Sequence, residues 1–195
     1  MPAPERTSLE AILAAGTELL EADGPAGLTM QAVAGRVGVR APSLYKRVRN
    51  RRALIALVAA SALDELEMRL REGRPVAGSG GGDEETVIEP IAELARLAHT
   101  LRAFAHERPA AYRLVFAPGE ESGLEVERLR AASAPLIEVA AALAGPDRAL
   151  DAARTLTAWA TGFIGMELAG AFRLGGDVDR AFAFGIERLG AAIAS

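Results

Sequence analysis

Residues 28–54 read LTMQAVAGRVGVRAPSLYKRVRNRRAL, and this stretch decides the fold. Thr29 can cap a short helix from Met30 to about Val37, with Val33 and Val37 inward. Gly38 follows, where a helix end favours a left-handed backbone. Another short helix starts near Ala41, with Pro42 in its first turn, where a missing N–H is harmless. The link from Gly38 to Ala41 gives the pair helix-turn-helix proportions. Ala34 is small where the two helices would cross, and Val33, Val37, Val39 and Leu44 form a wedge of core. The opposite face presents Arg40, Ser43, Lys46 and Arg47. Such a helix fits the major groove of B-DNA, where base edges differ in donor and acceptor pattern.

The charge distribution agrees. The whole chain carries a net −4, which by itself argues against a polyanionic partner. Residues 36–52 nevertheless hold seven basic side chains (Arg36, Arg40, Lys46, Arg47, Arg49, Arg51, Arg52) and no acid. Residues 1–52 sum to +3 and the remainder to −7. A basic face on an acidic chain is the footprint of an anionic partner. A plain helical hairpin accounts for the apolar positions but not for the acid-free basic run.

On both sides of this stretch the pattern is helical. The 42 alanines favour helix. Thr7 with Glu10 reads as a capping box for a first helix that Asp23-Gly24-Pro25 stops near Ala22. Asn50 can cap a fourth helix to about Glu72. Residues 73–83, GRPVAGSGGGD, read as a flexible linker. Helices follow over about 84–107, 109–116 and 124–144, the last kinked or split by Pro135. Asp147 can cap a long helix to about Leu174, and Gly175-Gly176 separates it from Val178 to Ala194. No useful length alternates with period two, so the expected class is all-α. The expected domains are a helix-turn-helix domain, 1–52, and a helical ligand-binding and dimerisation domain, 53–195.

Composition excludes several functions. The chain has no cysteine, which removes disulfides and thiolate chemistry, and its two histidines offer little for a metal. No nucleophile stands beside a base, and the Gly-rich run lacks a phosphate-loop pattern, so neither a catalytic residue nor a cofactor is expected. No apolar run reaches the length of a membrane span, and no signal-peptide core follows Met1–Arg6, so the expected location is the cytoplasm.

The segment 28–54 resembles the DNA-binding domain of the TetR family of bacterial transcription regulators. The family motif LGV-x-x-P-[ST]-L-Y-x-[HR]-V-x-N-[KR]-[KR]-x-L stands here as VGVRAPSLYKRVRNRRAL. ERPAAYRLVF and AWATGFIGMELAGAF resemble the TetR-type C-terminal domain named for Trp-His-Gly, with Trp159 and Gly162 present and Thr161 in place of His. The resemblance implies that Thr29, Tyr45 and Arg51 contact phosphates. It places Gln31, Arg40, Ala41, Pro42, Ser43 and Lys46 at base edges, with Arg47 serving either. It further implies a homodimer on a near-palindromic double-stranded operator, released by a small molecule.

The residues of the C-terminal half add to this. Ala153, Thr157, Ala160, Gly165 and Ala169 on one helix, and Ala181, Gly185, Ala191 and Ala192 on the last, are small enough for close helix packing between subunits or within one. Trp159, Phe163 and Met166 share a helical face and are candidate pocket residues, with Glu167 beside them. His99, Arg102 and His106, with Tyr112 and Phe116 from the short helix, can face them, and His99, Arg102 or Tyr112 can orient one polar group of a mostly apolar or aromatic ligand. The same side chains equally suit a plain core. Two other readings remain: a ligand-independent or activating DNA-binding dimer, and, more distantly, an enzyme using the helical pocket.

Overall fold

The computed structural model describes residues 8–72, 89–116 and 123–195. Among them are nine α-helices, one 3-10 turn and no strand, so the fold is all-α with an N-terminal helix-turn-helix and a helical C-terminal domain. Thr7, the linker 73–83 and Pro118-Gly119 lie outside the described residues. The contacts divide the chain into two compact units, one of residues 1–65 with 107–130, the other of 66–106 with 131–195.

The first unit holds α1 (Leu9–Gly27), α2 (Met30–Arg36), α3 (Ala41–Leu44), most of α4 (Arg51–Arg71), α6 (Pro109–Val115) and the start of α7 (Val126–Ala144). Ser8 caps α1 by accepting from the Ala11 amide, and the helix kinks at Gly24. Thr29 caps α2, and Asn50 caps α4 by accepting from the Ala53 amide. Ile12, Leu20, Leu28, Val33, Leu44, Leu54 and Val58 are fully buried, each stabilising by ~1.5–3 kcal/mol over exposure. The two carboxylate oxygens of Glu21 on α1 accept the amides of Ala110 and Ala111, both at 3.0 Å. Glu21 therefore satisfies free donors in the first turn of α6, where negative charge is favoured.

The second unit holds the end of α4, α5 (Pro90–Glu107) up to His106, most of α7, the 3-10 turn Pro146–Arg148, α8 (Ala149–Leu168) and α9 (Val178–Ile193). Leu94, Phe104, Leu156, Ile164, Phe182 and Ile186 centre its core. Pro135 is buried inside α7 and does not split it. The α8 helix ends at Leu168, short of the expected Leu174. Gly170 adopts φ +63, and the amides of Gly170 and Ala171 bond the carbonyls of Glu167 and Met166. That left-handed closure satisfies the last carbonyls, so the helix ends there and does not continue to Leu174.

Candidate functional site

The helix-turn-helix is built as its sequence dictates. Gly38 has φ +74, and the amides of Gly38 and Val39 bond the carbonyls of Gly35 and Ala34. Leu44 and Val48 anchor α3 and the turn after it. The rest of that turn faces outward. Arg40, Pro42, Lys46 and Arg47 are exposed, and Ala41 and Ser43 half-buried. Tyr45 is 54% exposed, although its ring is large and apolar. Gln31 is exposed on α2, next to the cap at Thr29, whose Oγ1 accepts the Ala32 amide at 3.1 Å and leaves its O–H to donate elsewhere. The expected base and phosphate groups from Arg40 to Arg47 thus stand on a backbone that two buried side chains hold in place.

Arg51 is placed differently. Its Nε donates to the Leu28 carbonyl at 2.9 Å and its Nη2 to the Pro25 carbonyl. Two of its donor groups are engaged within the first unit.

The second unit gathers five of the eight expected ligand residues around Phe182, which lies at the centre with no exposure. Trp159 stacks on it at 5.4 Å, Phe163 meets it at 5.2 Å, and the His99 ring edges it at 5.3 Å. The Arg102 guanidinium lies 5.0 Å above the same ring. Arg102 also bonds Glu167 through Nε at 2.8 Å and through Nη2, which in turn reaches Asp179 at 2.6 Å. His106 Nε2 lies 3.2 Å from Glu167. The hydrogen bonds from Arg102 hold the Glu167 carboxyl below its ordinary range, against the opposing effect of burial, with a smaller contribution from His106. The same pairing with Glu167 raises the Arg102 guanidinium above its ordinary value.

The remaining expected residues are elsewhere. Met166 is 49% exposed. Tyr112 and Phe116 belong to the first unit, where their rings pack at 4.9 Å. Burial pushes the Tyr112 phenol up to about 12. Beside Phe163 opens a groove of about 410 Å³, lined by Phe163, Phe172, Asp177, Val178, Arg180 and Phe184 among others. Sequence reasoning missed Phe182, although Phe182, Ile186 and Gly190 follow one another at helical spacing on the buried face of α9. Asp179 carried no sequence signal, because it reads as an ordinary first-turn acid. Among the described residues, no cluster of three His, Cys, Asp or Glu could hold a metal, and no helix is long and apolar enough to cross a membrane.

The small residues of the last helices divide. Ala153 and Ala160 are buried, and a side chain on Gly185 would meet the Trp159 indole at 2.1 Å, so these serve packing inside the subunit. Ala158, Gly162, Gly165 and Ala169 on α8 or just after it, with Ala181, Ala191 and Ala192 on α9, are exposed.

Comparison with known proteins agrees with this geometry. Residues 12–58 match the family model described as bacterial regulatory proteins, tetR family, and residues 94–189 match the tetracyclin repressor-like C-terminal domain. No curated protein matches the chain. Among solved structures, a protein of unknown function from Rhodococcus sp. RHA1 is similar at TM-score 0.76 and 24% identity, over 100% of this chain and 98% of that one. BioQ with its double-stranded DNA operator is similar at TM-score 0.67 and 23% identity, over 98% and 99%. A single-residue variant of TetR from Acinetobacter baumannii AYE in complex with minocycline gives TM-score 0.65 and 23% identity, over 95% of each chain. At these identities the likeness is one of fold.

Proposed function

This chain belongs to the TetR family of bacterial regulatory proteins, and we propose that within it the protein is a homodimeric repressor that a small molecule releases from a near-palindromic operator. It is a DNA-binding transcription regulator, and it acts by binding in the cytoplasm rather than by turnover. The observation that carries the reading is the exposed basic face from Arg40 to Arg47 on buried Leu44 and Val48. Residues 1–52 serve as its DNA-binding domain and 53–195 as its ligand and dimerisation domain. Thr29 and Tyr45 contact phosphates; Gln31, Arg40, Ala41, Pro42, Ser43 and Lys46 approach base edges; Arg47 serves either. Two copies set their α3 segments in successive major grooves, ~34–36 Å apart. The double-stranded operator complex of the similar BioQ fold supports operator binding.

The ligand is a small, mostly apolar or aromatic molecule. The minocycline complex of the similar Acinetobacter fold supports such a role. Trp159, Phe163, His99, Arg102 and Glu167 are its expected partners, with Met166 on the same helix as Trp159, and the groove beside Phe163 has the volume of a small-molecule site. A second reading, a ligand-independent dimer, is favoured by Phe182, whose ring fills the space among those side chains. The experiment is a titration of the selected operator and of random duplex across a salt series, with and without compounds that change Trp159 fluorescence. Operator preference with affinity falling steeply in salt is expected, because bound phosphates release counterions. A compound that shifts Trp159 emission and releases the operator supports the ligand reading. Failure of every compound that shifts Trp159 emission to change operator affinity supports the second.

A further inference from the structure

We infer that Arg51 is a positioning residue for DNA binding, tying the start of α4 to the turn that carries Thr29 instead of serving a phosphate by its charge. The inference rests on the operator-binding reading above. Arg51 is the first residue of α4, where the helix end carries partial positive charge and a cation is poorly placed. The Pro25 and Leu28 carbonyls compensate it. Its Nε donates to Leu28 at 2.9 Å and its Nη2 to Pro25, so one planar guanidinium spans both. The peptide that joins Leu28 to Thr29 is then held at each end. Its carbonyl bonds Arg51, and its amide, on Thr29, bonds the Gly27 carbonyl at 2.9 Å. The Leu28 side chain is fully buried beneath it. Thr29 is the cap of α2, so the tie fixes where its hydroxyl stands. Lysine keeps the charge but, as a compact ammonium, lacks the rigid fork that suits two fixed acceptors.

The test uses the full chain, the selected operator and a salt series. Arg51→Lys should bind about tenfold more weakly at every salt concentration, with the slope of log affinity against log salt unchanged, as loss of charge-assisted hydrogen bonds implies. Combined with Thr29→Ala, it should add little to the loss from Thr29→Ala alone, because a missing contact cannot be misplaced. Wild-type affinity in Arg51→Lys, with a slope reduced by about one in Arg51→Gln, would make Arg51 a phosphate contact and overturn the proposal. Nitrogen-15 NMR of the wild type is independent of any variant's folding. The Arg51 Nε–H should exchange slowly, free and operator-bound. Wild-type protein that binds while this proton exchanges fast overturns the tie. Wild-type protein that binds no duplex while it stays protected overturns the operator reading instead.

Discussion

Two single side chains, Glu167 and Tyr112, make folding depend on pH in opposite directions. Glu167 is kept ionised by Arg102, so its folded pKa lies below its unfolded one. Its contribution is present above the ordinary carboxyl pKa of ~4.3 and is lost as pH falls through the folded value. Glu167→Gln should therefore flatten the acid limb of a stability profile measured by denaturant titration. Tyr112 behaves oppositely. Its pKa of about 12 exceeds the ordinary ~10, so its contribution is full below pH ~10 and is lost as pH rises from there through the folded value. Tyr112→Phe should remove that part of the alkaline limb. Within the DNA-reading face, Tyr45→Phe should weaken all duplexes equally, whereas Lys46→Ala or Gln31→Ala should narrow the gap between operator and random duplex by ~1–3 kcal/mol. The exposure of Arg40, Lys46 and Arg47 was legible, because outward polar positions on a short helix follow from its inward ones. The aromatic cluster was legible only in part. Trp159 and Phe163 share a helical face, but what lies opposite them is Phe182, and no spacing relates α8 to α9.

At the scale of elements, helix ends and crossings carry the cost of error. Arg96 donates to the Leu70 and Glu72 carbonyls at the end of α4 and to both oxygens of Glu93, which is 6% exposed. Arg96→Ala should leave that buried carboxylate unpaired and cost ~3–5 kcal/mol in chemical denaturation. Gly185→Ala should destabilise by ~1–3 kcal/mol and shift Trp159 emission, because the new methyl would have to displace the indole. Gly35→Ala, with open space at its Cβ, should instead stabilise by ~0.5–1 kcal/mol. Element existence was legible from the 3.6-residue period, and the caps at Thr29 and Asn50 from residue type. The end of α8 was not, since Gly170 and the Gly175-Gly176 pair are equally good stops on sequence and only the closing hydrogen bonds select the first.

For the whole molecule, the exposed small face of α8 and α9 is the proposed meeting surface of two copies. Gly162 and Gly165 have open space where a side chain would stand. Gly162→Glu should leave the subunit folded by circular dichroism, sediment as a monomer at micromolar concentration, and lose most operator affinity with the second half-site. A dimeric Gly162→Glu would refute that surface. The all-α class and the helix-turn-helix were legible because both are local in sequence. What no local pattern reveals is that α6 joins the unit of α1 to α4. Glu21 meets its amides from some ninety positions away, and the forty-one residues 66–106 intervene between the two stretches of that unit. The consequence is temporal. On a ribosome adding ~5–20 residues per second, α1 to α4 emerge and then wait roughly 2–8 s for α6 to be made. During that interval the nascent unit of α1 to α4 lacks α6, and a polypeptide abandoned before residue 107 never acquires it.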